Sequence, residues 1–177
     1  MLYPFSLRDL LIQLAMKGLF KARWSEEIND EWTRNLLKNR PDLDPGKVHI
    51  TVQKMCGAVR DWEVTNFQDL IPSLNLPDEG DRHVLATAIK ANSDAIITFN
   101  LNDFPESELS SHGIEALHPD DFILDLIDLN AQLVLDAARA CWQRLKNPPK
   151  TWDEYLESLK RCGLVKSSEK LLEVGDF

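Results

Sequence analysis

The sequence predicts an α/β sandwich built on a short parallel sheet and followed by an all-helical C-terminal extension. Amphipathic helical segments alternate with short apolar runs up to about residue 122, whereas no strand candidate follows Phe122. The 177 residues are 44% hydrophobic and 28% charged, so the chain can bury a sizeable core. This composition excludes a disordered or fibrous protein.

Two amphipathic helices are predicted near the start of the chain. Residues 6–17 carry leucines at helical spacing, and Gly18 is suited to the position after the last turn. The second helix covers 26–39, because Ser25 supplies an N-cap and Pro41 ends the pattern.

The middle of the chain predicts a mixture of helices and short strands. A third helix covers residues 45–59, since Asp44 and Pro45 supply its N-cap and first helical residue. The apolar, β-branched run at 94–99 is the best strand candidate in the sequence. The remaining elements are a strand at 62–64, a helix at 77–92 and a strand at 113–117.

The last third of the chain predicts helices alone. Its pattern breaks at Asn130, at 147–149 and at Gly163, and Thr151 with Glu154 has the spacing of a capping box. We therefore expect an α/β domain at 1–122 and a helical extension at 123–177.

Charge and cysteine content narrow the class of protein. The chain carries 20 Lys and Arg against 29 Asp and Glu, a net charge of −9. This excludes a protein that binds nucleic acid through a basic surface. Carboxylates that hold divalent cations can nevertheless present positive charge to RNA. Three cysteines without CxxC spacing, and no apolar run of about 20 residues, favour a cytoplasmic protein without a membrane span.

Four acidic clusters are candidates for a site: Glu27 with Glu31, Asp78 with Asp81, Asn100 and Asn102 with Asp103, and Glu63, which lies in a segment whose face the pattern does not assign. Each of the first three alone has an ordinary explanation, namely a solvated helix face, a helix cap and a polar turn. Together they offer the oxygen ligands that a hard divalent cation requires. Two such ions can activate a water and stabilise the leaving oxygen of a phosphodiester.

The same residues resemble a known family. The run LPDEGDRHVLATAIKANSDAIITFNLNDFP is similar to the second half of a PIN domain, and LYPFSLRDLLIQLAMKGLFKARWSEEINDEWTRNLL is similar to its first half. The C-terminal stretch LKNPPKTWDEYLESLKRCGL resembles the helical extension of one branch of the VapC-type toxins.

This resemblance implies a three-layer α/β/α fold and a Mg²⁺- or Mn²⁺-dependent endoribonuclease. Such a protein is the toxin of a type II toxin–antitoxin pair, with RNA as substrate, a small antitoxin as partner and a homodimer as its usual state. The matching positions imply that Glu31, Asp81 and Asp103 bind metal and carry catalysis. The supporting residues are Asp78, Thr98 and Asn100, the last standing where many members have Asp. The RNA-binding residues stay unassigned.

One departure from the family lies at the N-terminus. PIN domains begin with a strand that ends in a metal-binding aspartate, and residues 1–4 align just after it. Asp9, inside the first helix, is on the wrong side of the turn to replace that residue. Either the chain start is misplaced or the strand is lost, and we expect weakened catalysis in this chain.

Two alternatives remain open at this point. The first alternative is a non-catalytic PIN-like module that binds an antitoxin or another protein. The second is an unrelated metal-dependent phosphatase. Among other polar residues, His83 is expected on a helix surface and Arg34 in a surface ion pair.

Overall fold

The computed structural model describes residues 5–175, so residues 1–4, predicted to align just after the family's first strand, lie outside the described part. Two strands are present in the described part, β1 at Ala95–Ile97 and β2 at Glu115–Leu117. The helices in chain order are α1 Phe5–Met16, α2 Glu26–Asn39, α3 Pro45–Ala58, α4 Arg82–Lys90, α5 Glu106–Leu109, α6 Pro119–Gln143, α7 Trp152–Lys160 and α8 Val165–Gly175.

The chain divides into two compact units. Among the described residues, the first unit comprises 22–118, and the second comprises 5–21 together with 119–175. The first unit therefore contains α2 to α5 and both strands. The second contains α1 and the three C-terminal helices.

The sheet of the first unit is parallel, as predicted. β1 and β2 pair with Ile96 opposite Ala116, and Thr98 N donates to Leu117 O at 2.9 Å just beyond the last pair. β1 is shorter than the predicted segment 94–99, because the chain turns away into a short helical turn at Leu101–Asp103. The α/β fold with a short parallel sheet is confirmed.

The prediction of a strand at 62–64 is wrong, because the segment forms only an isolated bridge. This segment forms one parallel bridge to Trp24, in which Trp24 N donates to Trp62 O and Val64 N donates to Trp24 O, both at 2.9 Å. Asp61 before it and Asn66 after it adopt positive φ angles of 53° and 59°. These left-handed residues turn the backbone on both sides, so the pairing cannot lengthen.

A hydrophobic core supports the sheet of the first unit. Buried side chains from α4, both strand segments and the loops around them pack together, including Phe67, Leu85, Ile96, Leu109 and Ile114. Full burial of each such side chain contributes about 1.5–3 kcal/mol to folding. The core thereby fixes the ends of β1 and α4 that carry the acidic residues.

The helix predicted at 77–92 begins later than expected. A short helical turn covers Glu79–Asp81, and α4 then starts at Arg82. Asp78 is the N-cap of the turn and accepts from Gly80 N at 2.8 Å, which confirms its capping role. Asp81 precedes α4 and makes no side-chain capping bond, so its carboxylate serves no structural cap.

The second unit is helical throughout its described residues. α1 packs against α6 and α7, and α8 packs against α6 and α7. The predicted break at Asn130 is confirmed as a kink within α6, with φ −158° and ψ 84°. The Asn130 side chain accepts from Leu133 N at 3.1 Å and so caps the second half of this helix.

Two local contacts fix the ends of the C-terminal helices. The predicted capping box of α7 is confirmed, since Thr151 accepts from Glu154 N and Glu154 accepts from Thr151 N. Asp120, at the start of α6, is buried and accepts from Lys166 N and Ser167 N, both at 2.9 Å. No helix within residues 5–175 is both long and apolar enough to cross a membrane.

Candidate active site

The acidic residues singled out in the sequence lie at three places in the first unit. Glu31 lies on α2, Asp78 and Asp81 lie in the turn before α4, and Asp103 lies in the turn after β1. The supporting residues Thr98 and Asn100 immediately follow β1. The three places are far apart in sequence, so only the fold can bring them together.

α2 presents Glu31 because its opposite face is anchored in the protein. Ser25 caps the helix by accepting from Ile28 N at 3.3 Å. Trp32 and Asn29 are buried, and Trp32 Nε1 donates to Asn29 Oδ1 at 3.2 Å. The polar face of the same helix is left to line a cavity.

That cavity joins α2 to the turn before α4. Its volume is about 450 Å³, and its lining includes Glu31 and Arg34 from α2 with Asp78, Asp81 and His83 from the other side. Three of the predicted site residues, Glu31, Asp78 and Asp81, thus line one concave surface. Asp103 is outside this lining.

The electrostatics of the cavity are dominated by carboxylates near Asp81. The pKa of Asp81 is raised to about 6, chiefly by partial burial and then by the negative charges of Asp78, Asp103 and Glu31 in that order. Asp103 therefore acts on Asp81 electrostatically although it does not line the cavity. Four predicted carboxylates share one electrostatic environment.

Glu31 has a specific partner in this environment. Its Oε2 lies 3.2 Å from His83 Nε2, and His83 Nδ1 lies 2.7 Å from the carbonyl oxygen of Gly80. This contact lowers the pKa of Glu31 and raises the pKa of His83. The pair links α2 to the first turn of α4.

The turn after β1 organises the remaining predicted residues. Thr98 Oγ1 accepts from Asn100 N at 3.1 Å, which fixes the backbone as it leaves the strand. Asn100 Nδ2 then donates to Asp103 Oδ2. Asn100, which stands where many family members have Asp, thus orients the carboxylate of Asp103.

The donor chemistry of this cluster suits a hard divalent cation. Glu31, Asp78, Asp81 and Asp103 offer carboxylate oxygens, and the mutual repulsion that raises the Asp81 pKa is the effect that a bound cation relieves. Within residues 5–175, however, no three His, Cys, Asp or Glu side chains are already grouped as metal ligands. Glu31 and Asp103 are held by His83 and Asn100 instead.

Sequence reasoning missed the positions of two residues. His83 was expected on a helix surface, but its side chain is only 14% exposed and contacts Glu31. Arg34, expected in a surface ion pair, lines the cavity three residues after Glu31. The spacing of Arg34 was an available signal, because residues three apart share a helix face. No local signal could have paired His83 with Glu31.

Comparison with known proteins assigns this chain to a family. Residues 1–102, more than half of the chain, match the family described as PIN domain. The chain therefore belongs to the PIN domain family, and the resemblance noted in the sequence is confirmed. Residues 119–173 match the family described as VapC50 C-terminal domain, which confirms the VapC-type extension.

A curated relative carries the same name. The "Putative ribonuclease VapC50" of Mycobacterium tuberculosis (strain ATCC 25618 / H37Rv) is 38% identical over 93 residues. The match covers 52% of this chain and 54% of the relative, so the chain spans about half the length of that relative. No solved structure matches the chain.

Proposed function

We propose that this protein is the toxin of a type II toxin–antitoxin system and acts as a metal-dependent endoribonuclease in the cytoplasm. The observation that carries the proposal is that Glu31, Asp78 and Asp81 line one cavity of about 450 Å³, in which the pKa of Asp81 is raised to about 6. Concave sites in which several carboxylates perturb one another are typical of functional centres. Membership of the PIN domain family and the VapC50-named relative support the same assignment.

In this proposal, Glu31, Asp81 and Asp103 hold Mg²⁺ or Mn²⁺. When bound, a pair of such ions supplies activation of a water and stabilisation of charge on the leaving oxygen of the RNA phosphodiester. Asp81 contributes as the ionised carboxylate above its pKa of about 6. Asn100 orients Asp103, Thr98 fixes the turn that carries Asn100, and Asp78 supports the turn that carries Asp81.

The test is cleavage of a cellular RNA pool by the purified protein with Mn²⁺ and with chelator. We expect cleavage only with metal and a loss of about 100-fold or more in Asp81→Asn. Asp42→Asn is the matched control. Asp42 is an exposed carboxylate that forms an ion pair with Arg40 at 2.6 Å, and neither residue lines the cavity. Cleavage that survives both chelator and Asp81→Asn would contradict the proposal.

One observation favours a second candidate, a non-catalytic PIN-like module that binds an antitoxin or another protein. Glu31 and Asp103 are engaged by His83 and Asn100, and the described residues contain no assembled group of three metal ligands. Calorimetric titration with Mn²⁺ separates the two candidates without relying on activity. Binding that Asp81→Asn abolishes supports the nuclease, whereas no Mn²⁺ binding together with tight capture of a purified antitoxin supports the module.

A further inference from the structure

Two large apolar side chains are exposed beside the acidic site. Phe99 is 39% exposed and Leu101 is 42% exposed, and they flank Asn100, whose side chain donates to Asp103. In the rest of this loop, Phe104 is buried and contributes to the core. The loop thus places some of its apolar groups inside and leaves two at the edge of the site.

Phe99 is held in place by a second ring. Its centroid lies 5.2 Å from that of His118, with an angle of 77° between the planes, an edge-to-face arrangement. Such contacts favour one orientation of an aromatic side chain. The backbone is fixed as well, because Thr98 N donates to Leu117 O and Thr98 Oγ1 accepts from Asn100 N. A positioned, partly exposed ring is suited to stacking.

The negative charge of the protein favours an RNA contact that does not depend on the phosphate groups. The chain carries a net charge of −9, and the cavity beside Asp81 is lined largely by carboxylates, so the phosphate backbone alone gains little from this surface. Unstacked bases of single-stranded RNA instead bind aromatic side chains through their faces. This binding does not depend on net charge.

We propose that Phe99 is a stacking platform for a nucleobase of single-stranded RNA next to the phosphate that is cleaved, with His118 supporting the ring and Leu101 bordering the base. The inference rests on the proposed ribonuclease function and assigns one residue that contacts its substrate. Phe99 is thereby a substrate-binding residue of the site.

The kinetic test uses a short unstructured RNA that the protein cleaves, together with the variants Phe99→Leu and Phe99→Trp. We expect Phe99→Leu to raise KM about tenfold with a small change in kcat, and Phe99→Trp to restore KM, because any aromatic face can stack. Ile50→Ala is the control, since Ile50 is 49% exposed on α3 of the same unit. Thermal unfolding of each variant confirms that it folds.

A binding test gives a readout that does not require cleavage. The Asp81→Asn protein, with and without Phe99→Leu, is titrated with RNAs that carry 2-aminopurine at single positions, and with RNAs abasic at those positions. Stacking predicts quenched 2-aminopurine fluorescence at one or two positions, and the quenching disappears in Phe99→Leu. An abasic RNA at that position should bind both proteins equally.

The outcomes separate this inference from the proposed function. Metal-dependent cleavage abolished by Asp81→Asn, with KM and quenching unchanged in Phe99→Leu, overturns the stacking role and leaves the nuclease intact. RNA binding with quenching at Phe99 but without cleavage supports the platform and contradicts the nuclease. Absence of RNA binding overturns both the stacking role and the proposed nuclease. Both are likewise overturned if a protein partner covers Phe99 and no RNA binds.

Discussion

Glu31 Oε2 and His83 Nε2 lie 3.2 Å apart and join helix α2 to the first turn of α4. His83 is in turn anchored at its other ring nitrogen, 2.7 Å from Gly80 O. The two acidic segments of the site are therefore connected by one side chain. The contact also lowers the pKa of Glu31, whereas the pKa of Asp81 is raised by partial burial and by the neighbouring carboxylates.

Replacement of His83 by Gln should reduce stability in a pH-dependent way. The pKa of His83 is raised by Glu31, so its stabilising contribution is complete below the ordinary value of 6.5 and is lost as pH rises through the folded value. The pKa of Glu31 is lowered from 4.5, so its contribution is present above that value. We expect His83→Gln to cost about 0.5–1 kcal/mol near pH 5.5 and less at pH 8.5.

Urea unfolding of the wild type and His83→Gln at both pH values measures this effect. His49→Gln serves as the control, because His49 is exposed on α3 and contacts only Gln53 among the hydrogen bonds described. An equal loss at pH 5.5 and pH 8.5 would show that the ion pair is not the source.

Binding of Mn²⁺ should weaken as pH falls through about 6. Asp81 has a pKa of about 6, so at pH 5 about nine in ten molecules carry its neutral carboxyl group, and a cation must displace that proton. We expect affinity about tenfold lower at pH 5 than at pH 7.5, with proton release on binding. Calorimetry in two buffers of different ionisation enthalpy measures both quantities, and a pH-independent affinity would refute the role of Asp81.

Asp81→Asn should stabilise the metal-free protein at neutral pH while it removes cleavage. The raised pKa of Asp81 means that its ionisation opposes folding, so this penalty is absent at low pH and is fully present above about pH 6. The neutral amide avoids repulsion from Asp78, Asp103 and Glu31. We expect a gain of about 0.5–1 kcal/mol at pH 7.5 and a clearly smaller gain at pH 4.5, which lies between the ordinary pKa of 3.8 and the folded value of about 6.

Thermal unfolding in chelator at the two pH values tests this prediction. Asp42→Asn is again the control, since its carboxylate is stabilised by Arg40 and has a lowered pKa. A loss of stability in Asp81→Asn at pH 7.5 would mean that Asp81 makes a structural contact rather than suffering repulsion.

Local features of the fold were predictable because their causes lie within a few residues. Ser25, Asn130 and the Thr151–Glu154 pair cap helices through bonds that span three residues, and the sequence shows both partners. The parallel pairing of β1 and β2 also followed from two apolar runs separated by a crossover. Family resemblance then indicated which carboxylates to compare.

Contacts between distant segments were not predictable in the same way. His83 and Glu31 are 52 positions apart, and nothing near either residue specifies the other. The single bridge at Trp24 depends on left-handed residues at Asp61 and Asn66, whose φ angles the sequence does not reveal. The packing of α1 against α6 and α7 is likewise decided by tertiary burial.

The strongest stability effect should come from Asp120 in the second unit. This carboxylate is only 4% exposed and accepts from Lys166 N, Ser167 N and the Ser167 hydroxyl, so it satisfies the first N–H groups of α8. Asp120→Asn replaces one acceptor oxygen by an NH₂ group that faces these donors. We expect a loss of about 1.5–3 kcal/mol, since a buried donor is left unsatisfied.

The adjacent residue supplies a matched control for this last prediction. Asp121 forms an exposed ion pair with Lys166 at 2.7 Å, so Asp121→Asn removes the same charge one position away without disturbing a buried bond. Denaturant unfolding should therefore show a large decrease for Asp120→Asn and little change for Asp121→Asn. Similar losses in the two variants would attribute the effect to charge near the start of α6, whereas a selective loss assigns it to the capping of α8 by Asp120.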